Sequence, residues 1–209
     1  ILAFAYAAVW FVVPTFAFVF FIALTLYHWG QGDLHASIAF LRTNIESRAE
    51  RSVTLVARGS LPMLAPLFFF PDEYEEVADA VIGVFDTRGA AAVSFAFEAE
   101  FRFAVLVFLF FVCAATVYFS RSTLEAGELV LLGVYFATVP PILAVGFYFC
   151  FWHSTRHVAR LLALDPVTSE RVESDNAVGA LARFGRDALP LTAGALLLFG
   201  ALWVLASPP

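Results

Sequence analysis

Phe101-Arg102-Phe103-Ala104-Val105-Leu106-Val107-Phe108-Leu109-Phe110-Phe111-Val112-Cys113-Ala114-Ala115-Thr116-Val117-Tyr118-Phe119 carries a single charge, Arg102, in an otherwise apolar run. About 20 such residues suffice to cross a bilayer as a helix, so the stretch reads as a membrane span. Working outward, Ile1 to Tyr27 reads the same way, with Pro14 kinking it near the middle. Glu128 to Trp152 and Ala188 to Ala206 supply two further spans, joined by polar segments at Ser120 to Gly127 and Ser154 to Asp187. The whole chain is 61% hydrophobic and 14% charged, where soluble proteins average roughly 25% charged. A water-soluble domain of this length has no way to hide that much apolar surface. The reading is therefore an all-α, multi-spanning transmembrane bundle, with residues 1–209 forming one membrane domain.

Two stretches fit that scheme less simply. Leu61-Pro62-Met63-Leu64-Ala65-Pro66-Leu67-Phe68-Phe69-Phe70-Pro71 holds three prolines, which predicts a broken or re-entrant segment buried against protein. Before it, Leu34 to Arg58 mixes arginines with apolar residues and reads as an amphipathic helix at the membrane surface. Asp72 to Asp79 is acidic and predicts a helix start. The glycines of His28-Trp29-Gly30-Gln31-Gly32-Asp33 are expected to loosen or end the first helix.

All twelve basic residues are Arg, and eighteen acids give a net charge of -6. An acidic chain of this kind argues against a nucleic-acid partner; its lack of Lys suits a high-salt organism or a GC-rich genome. Cys113 and Cys150 fall inside apolar runs and read as packing residues, not as a disulfide framework. The chain opens at Ile1 inside an apolar run without a basic flank, so it is read as part of a longer protein with further N-terminal helices, not as starting with a signal peptide. If the proline-rich segment does not cross, His28 and His153 emerge on one side. That side then holds every arginine except Arg121, and the positive-inside rule makes it cytoplasmic.

The chemistry-bearing residues are four histidines in two short motifs. His153-Ser154-Thr155-Arg156-His157 spaces two imidazoles at i, i+4, so on a helix they share a face and can take one ion. His28 follows directly on an apolar helix, where a polar ring needs a reason to be present. A lone histidine at a membrane boundary is more often interfacial than ligating, and His35, in a less apolar setting, is read that way. The pair and the distant His28 together favour a metal. A zincin motif is excluded, because Ser154 stands where its Glu belongs. Four histidines are too few for a di-iron desaturase. A mononuclear Fe, Zn or Cu site remains, as does a haem between His28 and His153.

His28-Trp29-Gly30-Gln31-Gly32-Asp33 and Phe151-Trp152-His153-Ser154-Thr155-Arg156-His157 together resemble the Brp/Blh family of β-carotene 15,15'-dioxygenases. Arg58-Gly59-Ser60-Leu61-Pro62-Met63, with Pro66 and Phe70-Pro71, and Ala188-Leu189-Pro190-Leu191-Thr192 are similar to two further stretches of that family. The resemblance implies a membrane oxidoreductase that splits β-carotene centrally with O₂ into two retinals, which feed rhodopsins in microbial hosts. It implies Fe(2+) held by four histidines, three of which map to His28, His153 and His157. The fourth belongs to a more N-terminal helix, and His35 is its local substitute. Asp33 and Arg156 are candidates for orienting the ligands. Trp29, Phe151 and Trp152 flank the histidines and offer an apolar pocket for a polyene. Two other readings stay open: a membrane zinc hydrolase resembling the haemolysin III and alkaline ceramidase group, using His28, Asp33, Ser154, His153 and His157, and a non-enzymatic membrane subunit.

Overall fold

The structure is a computed structural model that describes residues 2–40, 45–164 and 176–206. Among these the chain is helical throughout, with no strand. It divides into two compact units, residues 1–156 and 157–209.

The first unit begins with α1 (Leu2–Val12) and α2 (Pro14–Phe40). Pro14 lacks an N–H and separates the two, so the predicted kink is a break between helices. Past Tyr27, however, α2 continues without interruption through Gly30 and Gly32 to Phe40. The expected helix end at these glycines is therefore wrong, and the reason is tertiary. A Cβ on Gly30 would strike the carbonyl oxygen of Leu55, and one on Gly59 would strike that of Leu26. The two glycines face each other where α2 crosses α3, and their missing side chains let the backbones touch.

Helix α3 (Arg48–Phe69) opens on a reciprocal cap: Ser47 Oγ accepts from the Glu50 N–H at 3.2 Å, and Glu50 accepts from the Ser47 N–H at 2.9 Å. It runs unbroken through Pro62 and Pro66 and stops only at Phe70. The broken segment predicted from the prolines is thus one buried helix, with the break displaced to Pro71, where α4 (Pro71–Gly83) begins. The surface helix expected over Leu34 to Arg58 is likewise replaced. Its described parts are the end of α2 and the start of α3, and residues 41–44 lie outside the described residues.

A 3₁₀ segment (Gly89–Phe97) leads into α5 (Ala99–Ser120), the helix anticipated from the opening stretch. Ser122 then caps α6 (Thr123–Thr138) by accepting from the Glu125 N–H. The span expected over Glu128 to Trp152 is divided, because Pro140-Pro141 ends α6 and starts α7 (Pro141–Phe147). One π-helical turn (Tyr148–His153) follows, and α8 (Ser154–Leu164) continues from it.

The second unit holds the rest of α8 and α9 (Ala177–Ala206). Asn176 caps α9 by accepting from the Gly179 N–H at 2.9 Å. The joint at 165–175 lies outside the described residues.

Helices α3 and α5 are long and apolar enough to cross a membrane. Beside its apolar core the first unit also buries charged side chains, and it turns large apolar ones outward. Arg58, Glu125 and Asp33 are among its largest fully buried side chains, whereas Phe103, Phe110 and Phe111 are more than 60% exposed. Water would reverse that pattern, and hydrocarbon favours it.

Candidate functional site

Two of the predicted ligands meet. The ring centres of His28 on α2 and His153 at the end of the π-turn lie 5.6 Å apart. Two imidazoles bound to one ion through nitrogens about 2.1 Å away place their ring centres at about this separation, so the pair fits a shared metal. His153 is 4% exposed, whereas His28 is exposed. The approach depends on Gly32, one turn beyond His28, because a Cβ there would lie 2.9 Å from His153 Cε1. His35 stands one turn further along the same face of α2 and is half-buried. His157 belongs to the second unit and is exposed. Among the described residues no group of three His, Cys, Asp or Glu side chains is placed to hold a metal.

The π-turn explains how His153 reaches inward. A π-turn closes on the fifth residue where an α-turn closes on the fourth, so Tyr148 and His153 share a face, and both are buried. Trp29 packs on both rings, 5.3 Å from Tyr148 and 6.0 Å from His153. Ser154 donates its hydroxyl to the Phe149 carbonyl at 2.6 Å, which holds the turn.

Asp33 does not meet His28. Its Oδ2 accepts from the Trp152 indole N–H at 3.1 Å, the Tyr148 hydroxyl at 3.3 Å and Arg58 Nη1 at 3.5 Å. Arg58 is the hub of a buried network. Its Nε donates to Glu125 Oε1 at 2.8 Å and its Nη2 to Glu128 Oε2 at 2.8 Å. Arg156 closes the circuit, donating to Glu128 Oε1 at 2.6 Å, lying 3.7 Å from Asp33 Oδ2 and stacking 4.1 Å over the Trp152 ring. Arg156 thus faces the interior network. Five charged groups from α2, α3, α6 and α8 thus fix the walls around His153, not its imidazole directly.

This network went unread in the sequence. Arg58 in the middle of a long apolar segment and the i, i+3 pair Glu125 and Glu128 were the available signals. It also revises the topology. Because Arg58 meets Glu125, the turn carrying Arg121 lies at the histidine end of the unit. Arg102, near the start of α5, sits about 27 Å back along that helix.

The expected pocket residues separate. Trp29 lines an apolar cleft of about 540 Å³ between α2, α3, α4 and α7. Phe151 and Trp152 line a smaller cavity of about 260 Å³ beside α6.

The family described as beta-carotene 15,15'-dioxygenase matches residues 1–209. The chain is 41% identical over 216 residues to the probable beta-carotene 15,15'-dioxygenase Blh of Halobacterium salinarum, covering 98% of this chain and 61% of that protein. It is 25% identical over 222 residues to the probable beta-carotene 15,15'-dioxygenase Brp of the same organism, covering 98% of this chain and 62% of that protein. The chain thus spans about three-fifths of the length of these relatives. No solved structure matches it.

Proposed function

The chain belongs to the beta-carotene 15,15'-dioxygenase family, and from that premise we propose that the protein cleaves β-carotene at its central double bond with O₂ to give two retinals. The observation that carries the reading is the pairing of His28 with His153 beside an apolar cleft. In this reading the two histidines hold Fe(2+), and His157 joins them on its i, i+4 spacing in the sequence. Iron held by neutral imidazoles with open positions supplies O₂ activation when bound.

The remaining work falls to this chain's own groups. Trp29 and Tyr148 wall His153 with aromatic surface and keep water from it. Asp33, held by Arg58 and Arg156, anchors Trp152 and Tyr148 by their polar ends, so the aromatic walls keep one orientation. The outward apolar faces place the substrate's solvent, the lipid, directly against the protein.

The zinc-hydrolase reading is the less favoured one. Ser154, its hydroxyl candidate, donates to Phe149, and Asp33 is engaged by two arginines and two aromatic donors away from His28. A non-enzymatic subunit would leave the paired histidines without a task.

The protein is a multi-pass cell-membrane protein in this reading. Arg48, Arg51, Arg58, Arg121 and Arg156 gather toward the histidine end, which makes that end cytoplasmic. A functional link to a rhodopsin follows from the product.

The test is expression of the full-length protein in carotene-producing cells, with retinal quantified by chromatography and metal by elemental analysis. About one iron per chain and oxygen-dependent retinal are expected. Stoichiometric zinc without iron, together with activity that survives removal of O₂, would transfer the assignment to the hydrolase.

A further inference from the structure

The cleft beside Trp29 has a direction. Its α2 wall is Phe18, Phe21, Ile22, Thr25 and Trp29, along one face of the helix, with Pro62 and Pro66 of α3 opposite. The eleven steps from Phe18 to Trp29 advance about 16 Å along the helix. One end is Trp29, which touches the His153 ring, and His28 is its neighbour in sequence. The lining offers hydroxyls from Thr25 and Tyr74 and no charged side chain. A guest that fits is therefore long, narrow and uncharged. A phospholipid would bring a headgroup that nothing in the lining answers, whereas a polyene brings none.

We propose that this cleft binds one half of the carotenoid, with the end ring between α2 and α4 near Phe18 and Val81, and the chain leaving past Trp29 to the histidines. The inference rests on the proposed carotenoid-cleaving function and extends it. Its length from ring pocket to Trp29 sets which double bond reaches His28 and His153, so the cleft acts as a ruler for the cleaved bond. Residues at the far end then determine which end rings are accepted.

Gly146 of α7 supplies the means of testing it. It lines the cleft, and a Cβ added there meets no atom within 4 Å. Gly146→Leu therefore adds bulk at the cleft wall without striking backbone, and replacing glycine in a helix favours the fold. Gly133→Leu on α6 also enters open space but lies away from the cleft, and serves as the control.

The full-length protein is purified from carotenoid-producing cells under oxygen-free conditions, and retained carotenoid is measured by its absorbance and by mass spectrometry. Wild type and Gly133→Leu should retain carotenoid, and Gly146→Leu should retain at least tenfold less at unchanged iron content. In turnover assays Gly146→Leu should raise KM at least tenfold, and Val81→Phe should impair a ring-ended carotene more than an acyclic one. Unchanged retention and KM in Gly146→Leu would overturn the proposal, as would a wild-type protein carrying lipid in place of carotenoid. If wild type retained carotenoid without cleaving it, and Gly146→Leu did not retain it, the cleft assignment would stand while the dioxygenase reading fell.

Discussion

Replacing Arg58 by Leu removes the one side chain that joins three carboxylates. Asp33 and Glu125 are fully buried and Glu128 is partly buried; of the three, Glu125 has Arg58 as its ion-pair partner while Asp33 and Glu128 also meet Arg156. The wild-type balance is already two guanidiniums against three carboxylates; the variant leaves one against three. Removing one partner of a buried pair costs roughly 3–5 kcal/mol, because the remaining charge stays buried without compensation. For a chain of this size each kcal/mol moves the melting temperature by roughly 2–4 °C, so a fall of about 6–20 °C is expected in detergent. The double variant Arg58→Leu/Glu125→Gln should recover at least about 1 kcal/mol, since the orphaned carboxylate becomes neutral. Arg58→Lys should fall between, because an ammonium lacks the planar fork that serves three acceptors at once. The assay is thermal unfolding followed by near-UV circular dichroism, with aggregation monitored by chromatography. If Arg58→Leu melted within about 2 °C of wild type, or if adding Glu125→Gln lowered the melt further, the account of the network as an electrostatic core would be refuted.

Other perturbations follow from the same structure. His28→Ala, His153→Ala and His157→Ala should each abolish retinal formation and deplete iron, whereas His35→Ala should keep most of both; equal loss at His35 would make it a ligand. Arg156→Ala removes the group stacked on Trp152 and should lower retinal formation 10–100-fold, as loss of an orienting neighbour does, with iron content as the second reading; full activity would show that the circuit closes without it. Gly59→Ala gains about 1 kcal/mol of helix propensity but drives a methyl into the Leu26 carbonyl, an overlap costing about 1–3 kcal/mol or more, so its melting point should drop while that of Gly133→Ala, facing open space, should not. Reporter tags inserted near Arg51 and near Arg121 should both read cytoplasmic, because Arg58 and Glu125 tie those turns to one end; opposite locations would contradict the helix order.

What the sequence disclosed depended on how local each signal was. The apolar run at Phe101 to Phe119 and the acidic helix start at Asp72 needed no knowledge of their neighbours, and both are helices in the structure. Gly30 and the proline pair Pro62 and Pro66 misled for one reason: their ordinary effect on an isolated helix is overridden by the packing of α2 on α3. The histidine motifs pointed to each other across more than a hundred residues, because imidazoles are scarce and their spacing is constrained. Glu125 and Arg58 are no less intimate, yet acids and arginines are common, and nothing in their sequence context marks them as a pair. Resemblance singled out His28 and His153, which the structure places side by side; it said nothing of the ion network that holds their surroundings.

The π-turn has a consequence for how this protein tolerates changes of length. Within Tyr148–His153 the helix carries one residue more than an α-turn would need, so the surplus can be lost without breaking the chain. Deleting Cys150, which is exposed and touches none of the ion network, would let the segment relax into an ordinary α-helix. Tyr148 and His153 would then stand four residues apart on an α-helix and still share a face, so the flanking helices would keep their orientation. The same deletion inside a plain α-helix such as α5 would instead turn everything beyond it by about 100°, the angle of one helical residue. The turn thus gives the stretch that carries His153 a spare codon that its neighbouring helices lack.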